Sequence, residues 1–196
     1  MKKLLSLLFF TALIFGCLSG CAADNKSVAQ PTDTQIDEAY ISAMEAMFWF
    51  YVTDMPLGNK NGTSNPNPDM PAESIIFDEN GAARVEHPTI KTYNDLKEYL
   101  YSLFSNEIAD DLLSKGRYFD KDGELYCISA ARGTDTSKGK ETYEIIRENE
   151  KKIIYRVTVE DRSPEDYVTV IGYTTHDMIY EYIGGNWVFS KFEMVR

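Results

Sequence analysis

The side chains able to act as nucleophiles or to carry protons are few, because the chain of 196 residues has three cysteines and two histidines. A cysteine nucleophile needs a base beside it, and only His87 and His176 are available for that role. Cys127 lies in 124–130, a stretch typical of a strand, so we expect it to be a small buried apolar residue. His176 and Asp177 form the one pair suited to proton transfer. The simpler interpretation of this pair is a bulge or a solvent-facing strand.

Motifs of common enzymes and cofactor sites are missing from the sequence. It contains no GxSxG, no HExxH, no glycine loop that would cradle a phosphate and no paired histidines at metal-binding spacing. Acidic residues alternate over Asp120–Glu124, but they lack the spacing of a calcium loop, and a turn explains them. We therefore predict no catalytic residues, no metal site and no cofactor.

The N-terminus favours a different chemistry, the acylation of a cysteine. Two lysines precede an apolar stretch over 4–15, which is typical of a signal peptide. The stretch is shorter than the roughly 20 residues of a membrane-spanning helix. Leu-Ser-Gly-Cys at 18–21 has the form of a bacterial lipobox, whereas the residues before Cys17 include a bulky phenylalanine where the peptidase prefers a small side chain. We predict a lipoprotein signal peptide over 1–20 and lipidation at Cys21, the alternative being an ordinary secretory signal.

Lipidation would place the mature chain outside the cytoplasm, anchored in the cell envelope by a flexible tether over 21–34. Loss of the two lysines of the signal peptide would change the formal net charge from -11 to -13. So acidic a protein lacks the basic footprint of a nucleic-acid binder and is not drawn to anionic lipid. A basic partner would be attracted to it.

Apolar spacing predicts three helices before the sheet. The first runs from Gln35 to Val52, with Thr32 or Thr34 as its cap. Two further helices are expected to follow caps at Thr92 and Ser105.

From Arg117 onward the chain has the pattern of antiparallel strands. The turns at Asp122–Gly123 and Gly184–Gly185 favour hairpins, and residues 153–159 alternate with period two. Strands are predicted over 74–77, 83–86, 118–119, 124–126, 141–147, 153–159, 167–183 and 186–192. Helices followed by strands predict one α+β domain over 35–196, with N-terminal helices packed on a curved antiparallel sheet, as in NTF2-like folds.

One polar, glycine-containing segment, Arg132–Lys140, is predicted to project between two strands. Loops that project from a rigid sheet often carry binding residues. The residues proposed for contact with a partner are Arg132, Gly133, Thr134, Asp135 and Lys138. A solvated connection without function explains the same composition.

Four stretches between residues 92 and 133 carry a family pattern: Thr92–Leu100, Phe104–Leu113, Arg117–Tyr126 and Ala131–Gly133. Together they resemble the IseA-like DL-endopeptidase inhibitors. The resemblance covers roughly residues 36–192 and rests on core and turn residues. It implies a non-enzymatic protein that binds cell-wall hydrolases, namely peptidoglycan-cleaving cysteine peptidases of the NlpC/P60 type, and blocks their active-site cleft. In that family a loop between strands is thought to make the contact, and the matching element here is the segment Arg132–Lys140.

The leading hypothesis is therefore a monomeric envelope protein that restrains a wall hydrolase. A second hypothesis is an NTF2-like binder of small ligands, or an enzyme, with a pocket between the helices and the sheet. The residues expected to line that pocket are Phe48, Trp49, Tyr99 and Tyr126, with His176 or Asp177 as the polar group. A third is a purely structural lipoprotein.

Overall fold

The computed structural model describes residues 28–58, 75–129, 133 and 135–195. The predicted signal peptide and the lipidation site Cys21 lie outside these residues. The described chain has three helices and two antiparallel sheets, which confirms the α+β class. None of the helices within these ranges is long and apolar enough to cross a membrane.

Helix α1 spans Asp33–Tyr51 and starts two residues before the predicted position. The cap is Thr32, whose hydroxyl accepts a hydrogen bond from the Gln35 N–H at 3.3 Å, while the Gln35 side chain accepts one from the Thr32 N–H at 2.9 Å. This reciprocal pair satisfies two helix donors that would otherwise lack partners. Thr34 is therefore an ordinary residue of the first turn.

Helices α2 (Tyr93–Leu103) and α3 (Asn106–Ser114) follow as a pair. Thr92 caps α2 as expected, and it forms a capping box with Asp95. Ser105 occupies the cap position of α3 but makes no side-chain cap bond, and its N–H instead donates to the Phe189 carbonyl at 2.8 Å. That bond ties the helix pair to the last strand of the chain.

The smaller sheet has three strands in the order β1-β3-β2. They are β1 (Ala83–Arg84), β2 (Tyr118–Lys121) and β3 (Glu124–Cys127). The turn between β2 and β3 has positive φ at both Asp122 (56°) and Gly123 (82°), as a tight hairpin requires. The strand predicted over 74–77 is found only as isolated bridges: Ile75 and Phe77 are bridge residues, with Phe77 paired to Ala83, and residue 74 lies outside the described residues.

The larger sheet has four strands, each antiparallel to the next, in the order β4-β5-β6-β7. They are β4 (Lys138–Asn149), β5 (Lys152–Arg162), β6 (Val170–Ile183) and β7 (Asn186–Lys191). The alternating residues of β5 are confirmed as core, since Ile153, Tyr155, Val157 and Val159 are all buried. This face packs against the helices, and the opposite face carries polar pairs such as Arg156 and Asp177.

Two predicted boundaries of this sheet are wrong. β6 begins at Val170 rather than at 167, because the Asp166 carboxylate accepts the N–H groups of Val168 and Thr169 and holds them in a turn. β4 begins at Lys138 rather than at 141, because Lys138 pairs with Asp161 in the ladder. The last three residues of the predicted projecting loop are therefore strand.

Candidate functional site

The proton-transfer pair predicted from the sequence is not assembled. His176 and Asp177 are neighbours in β6, so their side chains lie on opposite faces of the sheet. Asp177 bonds to Arg156 at 2.7 and 2.9 Å on the outer face, whereas the His176 ring lies 3.3 Å from Glu193. A ligand in contact with one of these side chains could not reach the other.

The aromatic residues of the predicted pocket are also dispersed. Trp49 is buried and packs against Tyr99 and His87, with ring centroids 5.6 and 5.5 Å apart. Tyr126 belongs to the smaller sheet and stacks on Phe119 at 6.2 Å. Of the four predicted aromatics, Phe48 lines the groove described below, Trp49 and Tyr99 contact each other, and Tyr126 lies in the smaller sheet.

Cys127 is a core residue, as expected. Its thiol is fully buried, and burial raises its pKa to about 12, with the nearby Asp54 carboxylate adding to the effect. A thiol held protonated in this way is a poor nucleophile. Across the described residues, no group of three or more histidine, cysteine, aspartate or glutamate side chains could hold a metal ion.

The predicted partner-binding loop is placed only in part. Arg132 and Thr134 lie outside the described residues, while Gly133 and Asp135 are exposed. The Asp135 carboxylate accepts bonds from the Ser137 N–H and hydroxyl at 2.9 and 2.6 Å, and the same bonds lower its pKa. Lys138 bonds to Asp161 at 2.7 Å. Asp135 and Lys138 therefore shape the start of β4.

Beside this loop lies an exposed apolar segment, which we name the hairpin tip, over 167–173; it comprises the end of the β5–β6 turn and the first four residues of β6. The exposed fractions of its large apolar residues are 49% for Tyr167, 74% for Val168, 40% for Val170, 66% for Ile171 and 68% for Tyr173. The Arg162 N–H donates to the Ser137 carbonyl at 2.7 Å, so the tip and the loop share one end of the sheet. Clustered exposed apolar side chains of this kind commonly mark contact sites for other molecules.

The hairpin tip is held in one conformation by Asp166. Its carboxylate accepts the N–H groups of Val168 and Thr169, each at 2.9 Å, and the Thr169 hydroxyl at 2.5 Å. These bonds lower the pKa of Asp166 to about 2, so the carboxylate is ionised at neutral pH. An ordered apolar tip loses less conformational entropy on binding than a mobile one.

A second surface feature is the α1–β4 groove, formed where the helix passes beside the first strand of the larger sheet. It consists of two adjoining cavities of about 540 and about 600 Å³ that share Tyr40, Ile41 and Tyr143. The other residues that line it are Asp33, Asp37, Met44, Glu45, Phe48, Asp135, Thr136, Lys138, Glu141, Ile145 and Tyr155.

Sequence reasoning missed both surfaces. The apolar residues over 167–173 were assigned to a strand, whereas 167–169 form a turn and the large apolar residues of 170–173 are exposed. A strand with a buried face can have the same composition as this exposed tip. An aspartate side chain that accepts the N–H groups two and three residues later is a local turn signal. Asp166 has this relation to Val168 and Thr169, and it could have corrected the assignment. The groove brings together residues about 100 positions apart, and no local pattern reports such a pairing.

Comparison with known proteins supplies no family assignment: no protein-family model matches the chain, and no curated protein matches it.

Proposed function

We propose that this protein is an envelope lipoprotein that binds another protein through the end of the larger sheet, where the hairpin tip and the Asp135–Ser137 turn lie together. The exposure of the five large apolar residues of the tip is the observation that carries the proposal. Aromatic residues dominate the binding energy of many protein interfaces, so Tyr167 and Tyr173 are the expected anchors. The tether and the lipid on Cys21 would keep the domain at the outer surface of the membrane.

The partner that we propose is a peptidoglycan DL-endopeptidase of the NlpC/P60 type. The resemblance of the sequence to the IseA-like inhibitors supports this choice, and the acidic composition favours a partner with a basic surface. The hairpin projects from a four-stranded sheet, so it is a rigid wedge suited to fill a cleft. Inhibition would then be steric, because a peptide stem of the cell wall could not enter an occupied cleft.

The test measures muropeptide release from cell walls by purified NlpC/P60 endopeptidases of the same cell. The mature chain is added with Cys21→Ser, which removes the acylation site. We expect a micromolar excess to slow release, and we expect Ile171→Asp in the hairpin tip to abolish the slowing. Ile183→Asp is the matched control, because Ile183 is an exposed isoleucine at the opposite end of the same strand. The proposal fails if none of the endopeptidases is slowed, or if both variants behave alike.

A further inference from the structure

Strand β6 extends well beyond the strand that pairs with it on one side. It spans 14 residues, whereas β7 spans six and pairs only with Ile179–Ile183. After Lys191 the chain turns into the core, where Phe192 and Val195 are buried. Among the described residues, Gly172–Met178 therefore has a neighbouring strand on the β5 side only, and we name this segment the open edge.

The hydrogen bonds of β6 show which main-chain groups the open edge presents. The Tyr182 N–H donates to the Lys151 carbonyl at 2.9 Å, so even-numbered residues of β6 point toward β5. In an antiparallel ladder the intervening residues point the opposite way. Tyr173, Thr175 and Asp177 therefore direct their N–H and carbonyl groups away from β5. No backbone hydrogen bond within the described part of the chain reaches these groups.

The composition of this part of β6 favours pairing with a further strand. Native edge strands are commonly protected from such pairing by charged side chains or by proline. β4, the outermost strand on the other side of the sheet, has Lys140, Glu144 and Arg147 among its residues. Residues 167–175, in contrast, contain no charged side chain and no proline. Apart from Gly172 they are valine, isoleucine, threonine and tyrosine, which are all favoured in strands.

The side chains on the outer face beside the open edge are apolar. Ile171 and Tyr173 are both exposed there. An added strand would place every second side chain on this face, next to these two residues. Pairs of aromatic and β-branched side chains on neighbouring strands stabilise a sheet. The matching occupant therefore has valine or isoleucine at alternate positions.

Carboxylates lie near both ends of the open edge. Glu165 is exposed in the turn that leads into β6, and Glu193 is exposed with its carboxylate 3.3 Å from the His176 ring. Within the described ranges, neither carboxylate pairs with a lysine or an arginine. A segment with lysine or arginine at its remaining positions would be attracted. A second copy of the chain carries the same excess of negative charge and would be repelled.

We infer that the open edge binds an extended segment of another protein, antiparallel to β6, in which branched apolar residues alternate with threonine and lysine or arginine. The main-chain groups of Tyr173 and Thr175 form the hydrogen bonds, and the apolar side chains of the segment cover Tyr173 and Ile171. In this mode of recognition, main-chain bonds give affinity and alternate side chains give specificity. The open edge shares Tyr173 with the hairpin tip, but the inference does not require the partner to be a cell-wall hydrolase.

The probe is the fluorescein-labelled octapeptide (Thr-Val-Lys-Val)2, whose binding to the mature chain with Cys21→Ser is followed by fluorescence anisotropy. We expect saturable binding. The peptide (Thr-Val-Glu-Val)2 should bind about tenfold more weakly, because two partly exposed ionic attractions become repulsions. Absence of binding, or equal binding of the two peptides, would overturn the inference.

A proline in the open edge tests the location. Thr175→Pro removes an N–H that faces the added segment, and proline is tolerated in a strand where its nitrogen faces outward. Binding should weaken about tenfold, as for the loss of a well-formed hydrogen bond. Thr175→Ala is the matched control, because it keeps the N–H and, like the proline variant, loses the 3.3 Å contact between the Thr158 and Thr175 hydroxyls. Equal binding by the two variants, both shown to be folded by circular dichroism, would contradict the inference.

Backbone methylation of the peptide tests strand addition without changing the protein. In antiparallel addition, the peptide residues opposite Tyr173 and Thr175 have their side chains on the same outer face, so they are the valines. Methylating the valine nitrogens should abolish binding. Methylating the threonine and lysine nitrogens should leave most of it, because those N–H groups face away from β6. Equal loss in the two peptides would exclude strand addition.

Sedimentation velocity of the mature chain at increasing concentrations tests the other occupant, a second copy. We expect a monomer throughout. A dimer that dissociates in the Thr175→Pro variant would assign the open edge to a second copy and overturn the inference. Inhibition of an endopeptidase without peptide binding would refute this inference alone, whereas peptide binding without inhibition would refute the proposed function alone.

Discussion

At the scale of single residues, the most constrained charge is Arg117. Its guanidinium is 7% exposed and donates to the carbonyls of Phe50 and Thr53, each at 3.1 Å, and to the Asp54 carboxylate at 2.5 Å. These carbonyls belong to the end of α1, where helix acceptors lack partners of their own. A positive charge there also interacts favourably with the helix dipole. Arg117 therefore fixes the C-terminus of α1 to the smaller sheet.

Arg117→Met should lower the free energy of unfolding by about 3 kcal/mol, because it removes the donor from the buried Phe50 carbonyl and from the partly buried Asp54 carboxylate. The measurement is urea denaturation followed by circular dichroism. Arg147→Met is the control, since Arg147 is more exposed and pairs with the exposed Asp33, so it should cost less than about 1 kcal/mol. Equal losses in the two variants would contradict a structural role specific to Arg117.

His87 gives the stability a dependence on pH. Burial lowers the pKa of His87 below its usual value of 6.5, and its Nδ1 accepts the Ile90 N–H at 3.1 Å, a bond that needs the unprotonated nitrogen. The unfolded chain therefore takes up the proton first as the pH falls. The contribution of His87 is complete above pH 6.5 and is lost as the pH falls through the lower pKa of the folded state.

His87→Asn should flatten the decline of unfolding free energy between pH 7 and 5, while its side-chain oxygen replaces Nδ1 as the acceptor. His87→Gln should flatten the decline as well. It should also lower the free energy of unfolding at pH 7, because the oxygen of the glutamine side chain lies further from the backbone. Urea titrations at several pH values measure both effects. An unchanged slope in both variants would assign the pH dependence to other groups.

These residues also show what sequence can and cannot predict. Cys127 was predicted to be buried, because a lone cysteine within a strand behaves as a small apolar residue. The burial of Arg117 was not predicted, because an arginine before a strand is usually exposed. Its hydrogen-bond partners at 50–54 also lie more than 60 positions earlier in the sequence. His176 and Asp177 were predicted to act as a pair because they are adjacent in the sequence. In a strand, however, adjacent side chains point to opposite faces of the sheet.

At the scale of elements, helix starts were the most predictable feature, because a cap is a local interaction. Thr92 is the predicted cap of α2, and of the two caps proposed for α1 the structure selects Thr32. The tight turns of both glycine-containing hairpins were likewise predicted from adjacent residues. The division of the strands into two sheets was not predicted, because it depends on pairing between distant segments.

Thr32→Ala should destabilise the protein by about 1 kcal/mol, the usual cost of removing a side-chain cap. Thr34→Ala is the matched control, because Thr34 is exposed in the first turn and makes no cap bond, so its effect should be small. Ser105→Ala should also be nearly neutral, since the Ser105 side chain makes no cap bond. Chemical denaturation measures the loss of stability in each of the three variants. A loss for Thr34→Ala as large as that for Thr32→Ala would contradict the prediction.

At the scale of the whole molecule, residues 28–32, which lead into α1, and the hairpin tip lie at opposite ends of the larger sheet. Gln30 donates to the Asn149 carbonyl beside the β4–β5 turn, and the Ala29 carbonyl accepts from the Trp187 indole. The chain therefore enters the domain at the end of the sheet that carries that turn. β5 has 11 residues, which separates this end from the tip by about 35 Å. An acyl group on Cys21 would direct the tip away from the membrane and toward the cell wall.

This orientation can be measured on vesicles with a fluorophore at either end of the sheet. In the lipidated chain, a dye at Glu150→Cys should be quenched by headgroup-labelled lipids more strongly than a dye at Val168→Cys in the hairpin tip. Cys127 should stay unlabelled, because its thiol is buried and its pKa is raised to about 12. The Cys21→Ser chain should not associate with the vesicles, which tests the anchor itself. Equal quenching at the two positions would mean that the domain lies flat or tumbles on its tether, and the tip would then have no fixed direction toward the wall.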